Sequence, residues 1–381
     1  MISITRLLAG VGGLLLIAVI LWDAFEVVIL PRRVVRRFRL ARIFYRSTWA
    51  MWRCVVELLV STRRRETYLG YYGPLSLIVL LMGWATMLVV AFALVQWALG
   101  PSLRVPEGEA DFGAAVYMSG TTFFTLGLGD ITPRSTLARA VTVVEAGTGF
   151  LFLAAIIAYL PVLYQAFSRR EVAISLLDAR AGSPPTAGEL LFRHAHDPQA
   201  LADLLRAWER WAAELLESHI SYPVLSYFRS QHDNQSWVSS LTAILDTCAL
   251  VLAGATGHLA RQAHLTFAMA RHAVIDLTQV LRTAPIPPSA DRLPNADLAR
   301  LRARLARAGA TFDDGDDADR TLAKLRGMYE PYVNALAQRL AVELPPWAIE
   351  TSAADNWQSS AWEARPVADP AWWLDPHTDE E

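Results

Sequence analysis

Three stretches of this chain leave little choice about where it folds. Residues 74 to 99 contain no charged side chain, residues 140 to 164 contain only Glu145, and residues 7 to 30 contain only Asp23 and Glu26. Each is long enough to cross a hydrocarbon core of about 30 Å at about 1.5 Å per helical residue. The whole chain agrees, with 53% apolar residues and a positive mean hydropathy, so an ordinary soluble enzyme is excluded. The first stretch lacks a basic leader beyond Arg6 and a small-x-small cleavage site, and Arg32, Arg33, Arg36 and Arg37 follow it at once. It reads as an anchor that is kept.

Charge sets the expected orientation. Residues 31 to 70 hold eleven arginines against Glu57 and Glu66, which by the positive-inside rule makes this segment cytoplasmic. Parity then places the N-terminus and residues 100 to 135 outside, and everything after Ser168-Arg169-Arg170 in the cytosol of a multi-pass inner-membrane protein. Cys54 and Cys248 both fall on the reducing side, where a structural disulfide is not expected.

Between the second and third spans, Asp111 is placed to cap a short helix reaching about Phe123. The decapeptide Thr-Thr-Phe-Phe-Thr-Leu-Gly-Leu-Gly-Asp, residues 121 to 130, follows it. Non-helical backbone at membrane depth is tolerated only where protein buries it or it lines a watery path, so a loop that dips in and returns implies a pore. Gly127 and Gly129 can take positive φ without a Cβ penalty. Successive carbonyls of Thr125, Leu126, Gly127 and Leu128 could then turn one way, with the Thr125 hydroxyl innermost. Rings of such oxygens replace a cation's hydration shell, and four chains close each ring.

Thr125-Leu126-Gly127-Leu128-Gly129-Asp130 resembles the Thr-x-Gly-x-Gly-Asp filter of potassium channels, and the resemblance covers residues 74 to 166. It implies an outer helix, a pore helix, a filter and an inner helix, assembled as a homotetramer, with permeant potassium and no cofactor. Leu126 and Leu128 depart from the family's usual Val or Ile and Tyr or Phe, which leaves a less selective cation pore as the alternative. The family often holds the filter aspartate with a polar aromatic on the pore helix, and Tyr117 is the residue so placed for Asp130.

Residues 136 to 166 would extend about 46 Å as one helix, so its end projects from the bilayer. Gly149 falls where the family has a hinge glycine; close packing through the Gly147 and Gly149 pair is the alternative. Pro161 should kink the helix. Phe150, Leu153 and Ile157 share a face that either walls a cavity able to gate by dewetting or packs on the outer helix. Glu145 needs a partner at membrane depth. It is expected behind the filter near Thr121 or Thr122, or exposed at the outer mouth.

Arg33, Arg36, Arg39 and Arg42 repeat every third residue, as in voltage sensors, yet only one span precedes them. A collar on anionic lipid is the better reading, with Asp23 and Glu26 pairing to it. Residues 43 to 60 fit an interfacial helix. From 167 to 345 the pattern is helical, over about 187–220, 236–283, 296–309 and 317–344. The apolar run from Leu241 to Ala255 contains Asp246 and reads as a buried bundle helix. His194 and His196 lack metal-ligand spacing, and the stretch from Gln231 to Trp237 suits a helix cap at Asn234 or Ser236. The clustered aspartates 313 to 319 lack calcium-loop spacing, and residues 346 to 381, with Trp372 and Trp373, read as a flexible acidic tail. No nucleophile elbow, phosphate loop or zinc-hydrolase motif appears, so neither catalysis nor nucleic acid is expected; any cytosolic regulator is unspecified. The expected architecture is an all-α membrane protein. Three transmembrane helices, with a re-entrant pore helix and filter loop between the second and third, precede a helical cytosolic domain.

Overall fold

The computed structural model describes residues 4–30, 39–106, 110–231, 235–310 and 312–349. The arginines at 32, 33, 36 and 37, the expected cap at Asn234, and Trp372 and Trp373 lie outside these residues. The chain divides after Gln165 into two compact units, each helical.

In the first unit, α1 (Ile4–Ala24) passes into a π-helical turn (Phe25–Ile29), and α2 (Leu40–Leu59), α3 (Thr62–Gly70) and α4 (Tyr72–Ala98) follow. α5 (Phe112–Phe123) and α6 (Thr136–Ala181) complete it, with α6 unbroken through Pro161. The proline therefore costs its hydrogen bond without ending the helix. Small residues bring α1 onto α4: a Cβ on Gly13 would stand 2.7 Å from the Ala91 carbonyl, and one on Gly10 2.9 Å from Ala98 Cβ. At one end of this contact the Arg6 guanidinium lies 5.8 Å from the Trp97 ring centre.

α2 begins three residues earlier than the pattern suggests, at Leu40, because the first span caps it. Both Asp23 carboxylate oxygens accept backbone N–H bonds, from Leu40 and Ala41, each at 3.0 Å. Of the expected collar, Arg39 lies within reach of the charges of both Asp23 and Glu26, while Arg33 and Arg36 lie outside the described residues. Glu26 takes Arg39 at 3.4 Å, while Asp23 satisfies donors that every helix start leaves open. One face of α2 packs Trp49 edge-on to Tyr72, and Thr48 meets the Tyr72 hydroxyl at 2.8 Å. Met51, Leu58 and Leu59 on α2 stay exposed.

The second unit continues from α6 through α7 (Ala187–Arg193), α8 (Pro198–Ser221), α9 (Trp237–Gly254), α10 (Gly257–Val280), α11 (Asn295–Arg307) and α12 (Asp316–Leu340). Two expected long helices are each divided. Asp197 caps α8 through the Ala200 amide at 2.8 Å with Pro198 at the first helical position, which splits 187–220. Gly257, at φ +74°, turns the chain between α9 and α10 and splits 236–283. The last helix stops at Leu340 rather than 344, because Ala341 turns left-handed at φ +53°.

Among the described residues four helices are long and apolar enough to cross a membrane, α9 among them, but α9 is 83% buried inside the fold. It is a core helix. Asp246 accepts from Arg292 at 2.6 Å and from the Tyr329 hydroxyl, so its charge is answered from α12 and the 281–294 connection. The start of the supposed tail is also core. Trp347 is buried, with the guanidinium groups of Arg292 and Arg326 at 5.7 and 5.4 Å from its ring, and its carbonyl accepts the Gly188 amide at 2.8 Å.

Candidate functional site

The site is built outward from α5. Asp111 caps this helix through the Ala114 amide at 2.8 Å, as its position predicts. A small core of Ala93, Leu103, Ala115 and Met118 seats the helix against α4. Two short strands, β1 (Leu103–Arg104) and β2 (Thr132–Pro133), pair antiparallel and bring the two ends of the loop together.

Past Phe123 the chain reverses on a single carbonyl: the amides of Leu126 and Gly127 both donate to Thr121 O, at 2.8 and 3.1 Å. Thr122 contributes its carbonyl to the Thr125 amide at 3.1 Å. The threonines thus support the loop through backbone, and the Thr121 hydroxyl turns back to Met118 O at 3.0 Å. Thr125, Gly127 and Gly129 have φ of +60°, +56° and +79°. Glycine takes this freely, whereas a β-branched threonine there is held against its preference. In the single chain residues 125 to 130 are exposed, with Leu126 and Leu128 each at 65%.

The Tyr117 hydroxyl is within electrostatic reach of the Asp130 carboxylate, whose Oδ1 accepts the Ile131 amide at 3.0 Å. Tyr117 is the residue that the potassium-channel resemblance places beside this aspartate. Glu145 is fully buried between α4, α5 and α6, and its partner is Ser119. The expected neighbours Thr121 and Thr122 are corrected, as is exposure at the outer mouth. Ser119 and Thr121 stand about 200° apart around the helix, and Thr122 lies one turn beyond Ser119 along it, so the serine is the one that meets Glu145. The Ser119 hydroxyl also lies 2.7 Å from Val89 O, tying all three helices at one point.

α6 carries the floor of the site. A Cβ on Gly149 would fall 2.1 Å from Phe123 O, whereas one on Gly147 would meet nothing within 4 Å. Gly149 is a contact glycine, and the packing alternative prevails at this position. Phe123 and Phe152 rings meet at 5.8 Å beside it. Phe150, Leu153 and Ile157 are 64%, 52% and 64% exposed, so they do not pack on the outer helix. Pro161 is exposed as well.

Ser119 and Gln96 were not singled out in the sequence. Gln96 is buried and its Nε2 donates to Ala138 O at 3.2 Å and Thr142 Oγ1 at 3.0 Å, joining α4 to α6. A lone amide in an uncharged span was the available signal.

The site is thus a short capped helix, a loop reversed on itself and two flanking long helices. Residues 79–165 match the family model described as "Ion channel". The chain is also 26% identical, over 239 residues, to "Uncharacterized membrane protein YdjJ" of Bacillus subtilis (strain 168). That match covers 61% of this chain and 69% of the relative. No solved structure matches the chain.

Proposed function

We propose that the protein is a homotetrameric, potassium-selective channel of the inner membrane, with its N-terminus outside and its second unit in the cytosol. The observation that carries this is positive φ at every second residue, 125, 127 and 129, in a loop following a capped pore helix. That backbone lets carbonyls of Thr125 to Leu128 line one side, and four copies around an axis supply complete rings. Ions pass dehydrated from ring to ring, without a cofactor and without chemistry on a substrate. Tyr117 and Glu145 hold the scaffold behind the rings, and Phe150, Leu153 and Ile157 wall the path below. Arginines of the 31 to 70 segment rest on anionic lipid headgroups.

Leu126 and Leu128 favour a second reading, a cation pore of low selectivity. Neither side chain can donate a hydrogen bond behind the filter, and both stand open in the single chain.

Flux from liposomes with potassium or sodium as sole permeant ion, for the native chain and Gly127→Ala, separates the two. Potassium-preferring flux abolished by the substitution is the expected result. Equal flux of both ions selects the second reading, and absence of flux from a verified tetramer over a range of voltage and pH rejects both.

A further inference from the structure

Two acceptors share one hydroxyl where α4, α5 and α6 meet. The Ser119 hydroxyl lies 2.7 Å from Val89 O and within bonding distance of Glu145 Oε1 as well. A carbonyl can only accept, and so can an ionised carboxylate, while a serine has a single hydrogen to give. If Glu145 were ionised, one of the two contacts would set oxygen lone pairs against each other, in a place where Ser119 and Glu145 are both 0% exposed. One further proton removes the conflict. As a carboxylic acid, Glu145 donates to Ser119 Oγ, and the serine hydrogen passes on to Val89 O.

The surroundings argue the same way. α4 carries no charged side chain, and neither does α5, whose one titratable group, Tyr117, is exposed and lies beside Asp130. On α6 the nearest charge is Arg139, which is exposed and donates to Pro133 O at 3.3 Å. No packed element therefore brings a cation to Glu145, whereas the buried Asp246 of the second unit takes Arg292 at 2.6 Å. Among the described residues no donor meets Glu145 Oε2 either. A buried carboxylate needs a countercharge and several donors, and a neutral acid needs neither.

We propose that Glu145 is a proton-binding site: its carboxyl is held as the neutral acid and donates to Ser119, which donates in turn to Val89 O, so that one bound proton completes the tie among three helices. Removing it breaks the carboxyl O–H bond and hands the proton to water. The anion left behind competes with Val89 O for the single serine hydrogen, and the tie to α4 or to α6 is lost. Ser119 stands two residues before Thr121, whose carbonyl receives the Leu126 and Gly127 amides, so the helix seated by this proton is the one that carries the reversed loop. The inference stands on contacts within one chain and needs neither four copies nor a selective pore.

The test is infrared difference spectroscopy of the full-length protein in liposomes, native against Glu145→Gln, at neutral pH in light and heavy water. The expected difference holds the C=O stretch of a carboxylic acid, shifted by deuterium, and no carboxylate band. A carboxylate band there overturns the proposal. Ser119→Ala keeps the acid and should move its C=O stretch to higher frequency, as the loss of a hydrogen bond does; an unmoved stretch denies the serine its part, and this comparison stands even where Glu145→Gln fails to fold. Melting temperature gives a readout without spectra. From about pH 6 to about pH 9 the native protein should lose its lead over Glu145→Gln, because its folded state holds a proton that the unfolded chain has already released. Curves that stay parallel overturn the bound proton. No arm measures ion flux, so the proposal can fail while the channel reading stands, and the reverse.

Discussion

The carbonyl oxygen of Phe123, at the end of α5, occupies the space that a Cβ on Gly149 would need, at a separation of 2.1 Å. Backbone meets backbone there, and nothing flexible can give way. Gly149→Ala should therefore displace α5 or α6 and cost about 1–3 kcal/mol, the usual penalty of overpacking. Gly147→Ala, with open space around it, should be silent or slightly stabilising. Thermal denaturation in detergent ranks the two, and equal effects would sink the packing explanation.

The three-helix junction at Ser119 makes a second expectation. Ser119→Ala leaves the buried Glu145 carboxyl without its hydroxyl partner, at a cost of about 1–3 kcal/mol. Glu145→Gln preserves a group that the serine can bond and should cost less. The order of melting temperatures, native, then Glu145→Gln, then Ser119→Ala, is the check.

Asp23 acts across 17 positions of sequence as the cap of α2. Asp23→Ala removes two acceptors and should weaken the first turn of α2 by about 0.5–2 kcal/mol. Hydrogen exchange at Leu40 and Ala41 should quicken, while exchange in the middle of α4 stays slow. Uniform quickening along both helices would mean a global effect instead.

His219 gives the second unit a pH dependence. Its Nδ1 lies 2.9 Å from Leu215 O, which can only accept, so the proton sits on Nδ1 and the lone pair of Nε2 faces Arg170 Nη1 at 3.2 Å. Burial foremost, and the Arg170 charge after it, hold the imidazole well below the usual histidine range. Arg170 is itself bound to Glu171 at 2.8 Å and to the carbonyls of Leu225 and Phe228 at 2.9 and 2.7 Å, so it cannot retreat. In the native state His219 stays neutral, while the unfolded chain takes up a proton below about pH 6.5. Stability is then present above that pH and lost as pH falls, by up to about 1.4 kcal/mol per unit. Asp246 and Glu330, raised chiefly by burial, act with the opposite sign and are common to both proteins compared. Urea unfolding followed through Trp237, 5.2 Å from the His219 ring, should lose this slope between pH 7 and 5.5 in His219→Gln. A slope kept in the variant assigns it elsewhere.

What could be read in advance was what neighbouring residues decide. Asp111 announces its helix because a cap and its amide are three positions apart, whereas Tyr117 and Asp130 were linked only through the resemblance to the potassium-channel family. Asp197-Pro198 was an equally local signal, overlooked because the apolar period runs across it. Tertiary choices were hidden. Ser119 shows only as a small polar residue on an apolar helix, and its meaning depends on Val89 and Glu145 arriving from two other helices. Trp347 sits among prolines and acids, a composition that argues for disorder, and only the folded unit brings Arg292 and Arg326 to its ring. Gly149 carries a family precedent for bending, which says nothing about the carbonyl of Phe123.

Residues 125 to 130 stand uncovered in one chain, so under the tetrameric reading folding finishes the polypeptide but not the conduit. Every ring is then as sound as its worst member. In a cell making native and Gly127→Ala chains in equal amounts, random assembly leaves only about one tetramer in sixteen free of the lesion. A loss-of-function allele should therefore behave as dominant, and graded co-expression would count the chains in a working pore without purifying any of them.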